Sequence, residues 1–136
     1  YCGAEIASSP MAVINERGPT SIVSDFGNNA GVIIGPEIAD WSDKPLGFVV
    51  ATVSVDDVEV GSKPADAMLG SPLQALRFLI QVSGRRGITL PAGTVVSSGA
   101  ITGVHDVQIS SNARVDFGAF GWFDVTFEPR APLHHS

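Results

Sequence analysis

The sequence has little of what several common protein classes require. It contains one cysteine, Cys2, which excludes an intrachain disulfide and is typical of a reducing compartment, so we expect a cytoplasmic protein. Basic residues are scarce: 8 lysines and arginines against 14 acidic residues give the 136-residue chain a net charge of −6. Because phosphate binding requires a basic surface, no nucleic-acid partner is expected. No apolar run approaches the length of a membrane span, so no membrane association is predicted.

Several catalytic signatures are also missing. The sequence has no HExxH zinc motif, no P-loop, no GxSxG nucleophile elbow and no GxGxxG dinucleotide loop. His105 lies in a predicted strand and His134 and His135 in a polar tail, where packed or solvated histidines are expected. Catalysis by His105 is the less favoured alternative, so carboxylates, amides and hydroxyls are the better candidates for the chemistry.

Glycine and proline are abundant, and this predicts many tight turns. The 15 glycines and 9 prolines are typical of a β-rich fold. The length predicts a single domain over residues 1–128, followed by a loose tail at 129–136. The mean hydropathy of +0.24 indicates more apolar surface than one small domain can bury, so we expect this surface to be covered by a partner.

Hydrophobic periodicity predicts one main helix, at about 72–83. Ser71 is the expected N-cap, Pro72 stands at a favoured first position, and Gly84 is the expected stop. Strands are predicted at 1–6, 30–34 (buried), 46–60 with a hairpin tip at Asp56 and Asp57, 94–98, 104–109, 114–117 and 122–127. The fold class is therefore α+β, dominated by β structure.

A few polar residues can be interpreted in two ways. Glu5, within an apolar run, is either a solvent-facing edge residue or a ligand for a hard metal ion. Asp25 precedes a turn that it could simply cap, and Asn28 suits left-handed backbone geometry. Ser98 and Gly99 end a predicted strand, where they could hold a substrate carboxylate or form an ordinary turn.

Four segments, in order along the chain, carry a family resemblance. They are GAEIASS at 3–9, IVSDFGNNAGVIIG at 22–35, the stretch from Gly61 through GSPLQAL at 70–76, and LPAGTVVSSGA at 90–100. Together the chain resembles the C-terminal half of the 2-oxopent-4-enoate hydratase and 4-oxalocrotonate decarboxylase family, within the fumarylacetoacetate hydrolase superfamily.

The resemblance implies a mixed β-roll or barrel and a lyase that uses Mg²⁺ or Mn²⁺ on an unsaturated 2-keto acid. We expect hydration of a 2-hydroxypenta-2,4-dienoate-like substrate, with decarboxylation of a related 2-oxo acid as the alternative; such steps belong to aromatic catabolism. Matched by motif, Glu5 is implied as a metal ligand, Asp25 as a catalytic residue, and Ser98 and Gly99 as substrate-binding residues. Asn28, which sits where the family has a serine, is also expected to be catalytic.

The chain also departs from the family pattern. The family's N-terminal half, with a Glu-x-Glu pair and a lysine, has no counterpart here, and Phe26 replaces an asparagine. Three interpretations follow: one chain of a two-part enzyme whose companion supplies the missing ligands, an inactive binding or scaffold subunit, or an unrelated β-rich binding domain. A companion chain or homo-oligomer is expected, because half of a paired structure leaves a face uncovered.

Overall fold

The computed structural model describes residues 1–67 and 70–129 of the chain. Two antiparallel sheets form the fold, one of two strands (β1-β2) and one of four in the order β4-β3-β5-β6. The strands are β1 Gly3–Ala7, β2 Asn29–Ile34, β3 Val50–Val55, β4 Val58–Pro64, β5 Asn112–Asp116 and β6 Trp122–Thr126; the helices are α1 Pro19–Ser24 and α2 Ser71–Arg85. The predicted β-dominated class with one main helix is confirmed.

The small sheet brings the two ends of the first 34 residues together. Glu5 faces Val32 across the pair, and the register shifts between Ile6 and Ala7, so that Ala7 stands opposite Asn29. Both strands lie where the sequence predicts them, but the prediction that β2 is buried is wrong. Val32 is 42% exposed and Ile34 54% exposed, because the described residues cover only one face of β2.

The four-stranded sheet is built from two hairpins. Asp56 and Asp57 form the predicted tip between β3 and β4, both with positive φ (49° and 65°), as a tight hairpin turn requires. In the second hairpin Arg114 donates two hydrogen bonds to its cross-strand partner Asp124, at 2.8 and 3.0 Å. This ion pair lowers the pKa of Asp124 and raises the pKa of Arg114.

The core lies where the small sheet meets the large one. Its buried members come from the start of the chain, from the β3 and β5 regions and from the end of β4: Cys2, Val49, Ala51, Ala65, Val115 and Phe117. Burial raises the pKa of the Cys2 thiol. The Cys2 amide donates to the Pro36 carbonyl at 2.8 Å, and the Gly35 amide donates to the Cys2 carbonyl at 2.9 Å. These bonds continue the β1-β2 pairing by one residue and so hold the buried Cys2 beside Gly35 and Pro36.

The main helix lies where the sequence predicts it, but it ends later than predicted. The Ser71 hydroxyl accepts the Gln74 amide at 3.5 Å, the contact expected of an N-capping serine, although the helix already begins at Ser71. Gly84 is not the stop: it lies inside the helix. The chain reverses at Gly87 (φ 68°), and the Ile88 amide donates to the Ser83 carbonyl at 2.9 Å, as in a Schellman motif.

Two predicted strands are absent. Residues 94–98 and 104–109 pair with no strand among the described residues. An alternating sequence favours extended backbone, but a strand also needs a neighbouring strand with which to form hydrogen bonds. The predicted tail, 129–136, lies outside the described residues after Pro129. No helix in the described part of the chain has the length and apolar character to cross a membrane.

Large apolar side chains remain exposed over much of the surface. Phe26 is 89% exposed, Val104 78%, Val23 77% and Phe48 75%. The exposed large apolar side chains number 20 among the described residues, spread from Tyr1 to Trp122. The excess of apolar surface expected from the hydropathy is therefore present in the structure.

Candidate functional site

Glu5 is the centre of a polar cluster at the exposed side of β1. Its Oε1 accepts the Asn29 Nδ2 amide at 2.8 Å, and its Oε2 accepts the Ser97 hydroxyl at 2.9 Å. These partners come from the start of β2 and from an irregular segment 92 residues away along the chain. Each carboxylate oxygen is thus held by a different side chain, which fixes the plane of the carboxylate and leaves lone pairs available for a ligand.

Asn28 and Asp25 lie at the same end of the small sheet. The Asn28 amide donates to the Asp25 carbonyl at 2.9 Å, and the Asn28 carbonyl accepts the Ser8 amide at 2.8 Å, just beyond β1. Asn28 has φ 60°, in agreement with the expected left-handed geometry. The Oδ2 of Asp25 and the Oδ1 of Asn28 are shielded from solvent and accept no hydrogen bond among the described residues.

An open groove runs beside Asp25. It has a volume of about 310 Å³, and its walls come from the segment before α1 and from α1 itself: Pro10, Met11, Ile14, Thr20, Ser21, Ser24 and Asp25. The mixture of apolar and hydroxyl side chains suits a small molecule or a partner side chain.

Ser98 and Gly99 follow directly on the serine that contacts Glu5. Ser98 is half-buried, and Gly99 has φ 116°, a conformation that favours glycine. The structure therefore brings Glu5 next to Ser97, the residue before the predicted Ser98, and next to Asn29, the residue after the predicted Asn28. Asn29 and Ser97 lie within the matched segments 22–35 and 90–100, but their contacts with Glu5 were not predicted, because nothing local in either segment signals contact with a residue so distant along the chain.

The side chains around Glu5 offer oxygen atoms, which hard cations prefer as ligands. They are too few to hold such a cation. Mg²⁺ is usually held by one or two carboxylates together with substrate oxygens and water. Among residues 1–67 and 70–129 there is no group of three histidine, cysteine, aspartate or glutamate side chains that could hold a metal ion. The described residues alone therefore do not make a complete metal site.

A second, more apolar groove lies between α2 and the segment that follows it. Its volume is about 440 Å³, and it is lined mostly by aliphatic side chains, among them Leu76, Ile80, Ile88, Leu90 and Val96. The groove holds no titratable group, so its surface offers packing rather than chemistry.

Comparisons with known proteins point to one enzyme. No protein-family model matches the sequence. The chain is 31% identical over 110 residues to 4-oxalocrotonate decarboxylase of Pseudomonas putida, an alignment that covers 79% of this chain and 40% of the relative. Two solved structures of 4-oxalocrotonate decarboxylase from Pseudomonas putida G7 match with a TM-score of 0.71 and 26% identity, covering 79% of this chain and 41% of theirs. One is complexed with calcium and acetate, the other with magnesium and adipate. The chain thus spans about two fifths of the length of these relatives.

Proposed function

We propose that this chain forms part of a divalent-metal-dependent lyase acting on an unsaturated 2-keto acid. Its resemblance to the 2-oxopent-4-enoate hydratase and 4-oxalocrotonate decarboxylase family is confirmed over 79% of its length. The observation that carries the proposal is the Glu5 carboxylate. It stands where the family resemblance expects a metal-ligand glutamate, and Asn29 and Ser97 hold its two oxygens at 2.8 and 2.9 Å.

The metal would be Mg²⁺ or a similar hard cation, as in the solved relatives that hold calcium or magnesium. When bound, such an ion supplies Lewis-acid polarisation of a 2-oxo acid. This chain would contribute Glu5 as one ligand, with Asn29 and Ser97 fixing its orientation. The remaining ligands would come from a polypeptide segment outside the described residues, on a companion chain or elsewhere in the protein.

We propose decarboxylation ahead of hydration, because the similar proteins are decarboxylases. Hydration of a 2-hydroxypenta-2,4-dienoate-like substrate remains the alternative within the same family. Asp25 and Asn28 are proposed to act near the reacting atoms, since the Asn28 carbonyl accepts the Ser8 amide just beyond the strand that bears Glu5. Ser98 and Gly99 are proposed to bind the substrate carboxylate through a hydroxyl and a backbone amide.

A second candidate function is a binding or scaffold subunit without catalysis. Two observations favour it, and the first is that Glu5 belongs to no group of three histidine, cysteine, aspartate or glutamate side chains among residues 1–67 and 70–129. Phe26, 89% exposed where the family has an amide side chain, points the same way. On this proposal Glu5 would be retained from a metal-binding ancestor and would bind no metal ion.

Activity of the full protein distinguishes the two candidates. The assay follows CO₂ release from an unsaturated 2-oxo dicarboxylate, and hydration of 2-hydroxypenta-2,4-dienoate, with Mg²⁺ and with a chelator. We expect Mg²⁺-dependent turnover of one substrate, with a loss of more than about 100-fold in Glu5→Gln, because removing a metal ligand costs at least as much as removing a residue that orients one. Glu59→Gln, an exposed glutamate on β4, is the matched control and should retain activity. Lack of turnover with either substrate would favour the scaffold proposal.

Assembly is the other half of the proposal. We propose that residues 1–128 form one structural unit and that this unit associates with a companion or with copies of itself. Native mass spectrometry with Mg²⁺ present tests this association. A second, different chain in the complex would support a two-part enzyme, a homo-oligomer would support self-association, and a monomer would contradict both.

A further inference from the structure

The segment 95–107 brings Ser97 to Glu5 without the support of a helix or a strand. No backbone group of these residues forms a backbone–backbone hydrogen bond with another residue of the described ranges. Such bonds are what fix the course of the chain in helices, sheets and turns. The position of Ser97 therefore depends on the side chains of its own segment and on the surfaces that they contact.

Gly61 on β4 receives the far end of this segment. A Cβ at this glycine would stand 2.8 and 2.9 Å from the Cε1 and Nε2 atoms of His105, and 3.1 Å from the Cβ of Thr102. These distances lie below the about 3.5–4.0 Å of ordinary packing, so the absence of a side chain at position 61 makes the contact possible. The Nε2 of His105 is also hydrogen-bonded to the Thr102 hydroxyl at 3.2 Å. The two side chains thus form one unit that rests directly on the backbone of β4.

Two apolar contacts hold the part of the segment nearer to Ser97. Val96 lines the groove beside α2, and Ile101 packs against the core. Only residues 97–100 lie between these two contacts, and the reach of so short a span is limited by its length. Thr102 follows Ile101 directly, so the place where Thr102 rests on β4 limits where the Ser97 hydroxyl can lie.

We propose that His105 is a positioning residue for Glu5 and acts through Ser97. Seated on Gly61 and bonded to Thr102, His105 fixes the course of the segment. The Ser97 hydroxyl then reaches the Oε2 of Glu5, to which it donates at 2.9 Å. The consequence for metal binding rests on the function proposed above, whereas the placement of Ser97 does not. For a histidine that the sequence offers as a minor catalytic candidate, the geometry points to positioning instead.

A thiol at position 97 tests this placement without any metal ion. Ser97→Cys puts the thiol beside the Glu5 carboxylate, whose negative charge disfavours the reactive thiolate. In the full protein, the rate of labelling by iodoacetamide at position 97 is followed by peptide mass spectrometry. It is measured in Ser97→Cys alone and in combination with His105→Ala, His105→Gln or the control Ser62→Ala. A combination with Glu5→Gln gives the rate for a thiol that has no carboxylate beside it.

His105→Ala should raise the labelling rate at least about threefold, toward the rate with Glu5→Gln, because the thiol moves away from the carboxylate. His105→Gln can keep a hydrogen bond to Thr102 and should stay closer to the rate of Ser97→Cys alone. Ser62→Ala removes a cross-strand hydrogen bond of 2.8 Å on β4, beside Gly61, and should leave the rate unchanged. The inference is overturned if His105→Ala leaves the rate unchanged, or if Ser62→Ala raises it as much as His105→Ala does.

Affinity of the full protein for Mn²⁺ supplies the functional readout. Ser97→Ala should weaken binding about tenfold, as is usual for a residue that orients a metal ligand, and His105→Ala about threefold or more. The double variant should bind no more weakly than Ser97→Ala alone, because His105 acts only through Ser97. Multiplied losses in the double variant would overturn the inference. Absence of Mn²⁺ binding by the parent protein would contradict the proposed function instead, since the thiol rates still decide the placement of Ser97.

Discussion

Gly35 lies where the small sheet meets the large one, and it makes the contact between them testable. A Cβ at this position would stand 2.6 Å from two ring carbons of Phe123 on β6 and 3.2 Å from the Cys2 carbonyl oxygen. Carbon atoms pack at about 3.5–4.0 Å, so the added methyl would overlap the ring by about 1 Å. The ring is packed against the core and the backbone is held by the Cys2 and Pro36 hydrogen bonds, so neither can move freely.

Gly35→Ala should therefore destabilise the protein by about 1–3 kcal/mol, the usual cost of overpacking. Gly84→Ala is the matched control, because nothing lies within 4 Å of a Cβ there and the residue sits inside α2. It should stabilise the protein by about 0.5–1 kcal/mol through helix propensity. Urea unfolding of the full protein, followed by tryptophan fluorescence, gives both free energies. If both variants change the free energy of unfolding in the same direction, or if Gly35→Ala leaves the urea midpoint unchanged, the packing described here is refuted.

Other expectations concern the core and the hairpins. Phe117→Ala should lower the free energy of unfolding by about 3–5 kcal/mol, since Phe117 is 6% exposed in the core; a loss below about 1 kcal/mol by urea denaturation would contradict its placement. Hydrogen bonds from the Asn112 amide and the Ser111 hydroxyl lower the pKa of Asp56 below its ordinary 3.8. The stability from Asp56 is therefore present above that value and lost as the pH falls through the lowered folded pKa. The difference in Tm between the parent protein and Asp56→Asn should shrink as the pH is lowered. A Tm difference that does not change with pH would contradict this.

Local sequence signals predicted much of the fold. Proline at the start and the 3.6-residue repeat identified α2, and Asp56-Asp57 identified a hairpin tip, because helix starts and tight turns depend on neighbouring residues. The same signals failed at residues 94–98 and 104–109. Whether extended backbone becomes a strand depends on a partner that is distant in sequence, and for these residues no partner lies in the described part of the chain.

The candidate site was predicted in part for the same reason. Glu5 was singled out from its apolar context and from the family resemblance, both of which are visible in the sequence. Its contact with Ser97 arises from folding across 92 residues, and its contact with Asn29 from the register shift that places Ala7 opposite Asn29. Neither contact has a local signature, so the sequence pointed to the neighbouring residues Ser98 and Asn28 instead.

Binding of divalent metal to the full protein tests the central claim most directly, because it measures the role of Glu5 without reference to a substrate. Isothermal titration with Mg²⁺, or the electron paramagnetic resonance of free Mn²⁺, gives the dissociation constant for the parent protein, Glu5→Gln and the control Glu59→Gln. We predict saturable binding that Glu5→Gln weakens by at least about tenfold and Glu59→Gln leaves unchanged. Equal affinity in the parent and in Glu5→Gln, or no binding by the parent protein, would contradict the assignment of Glu5 as a metal ligand.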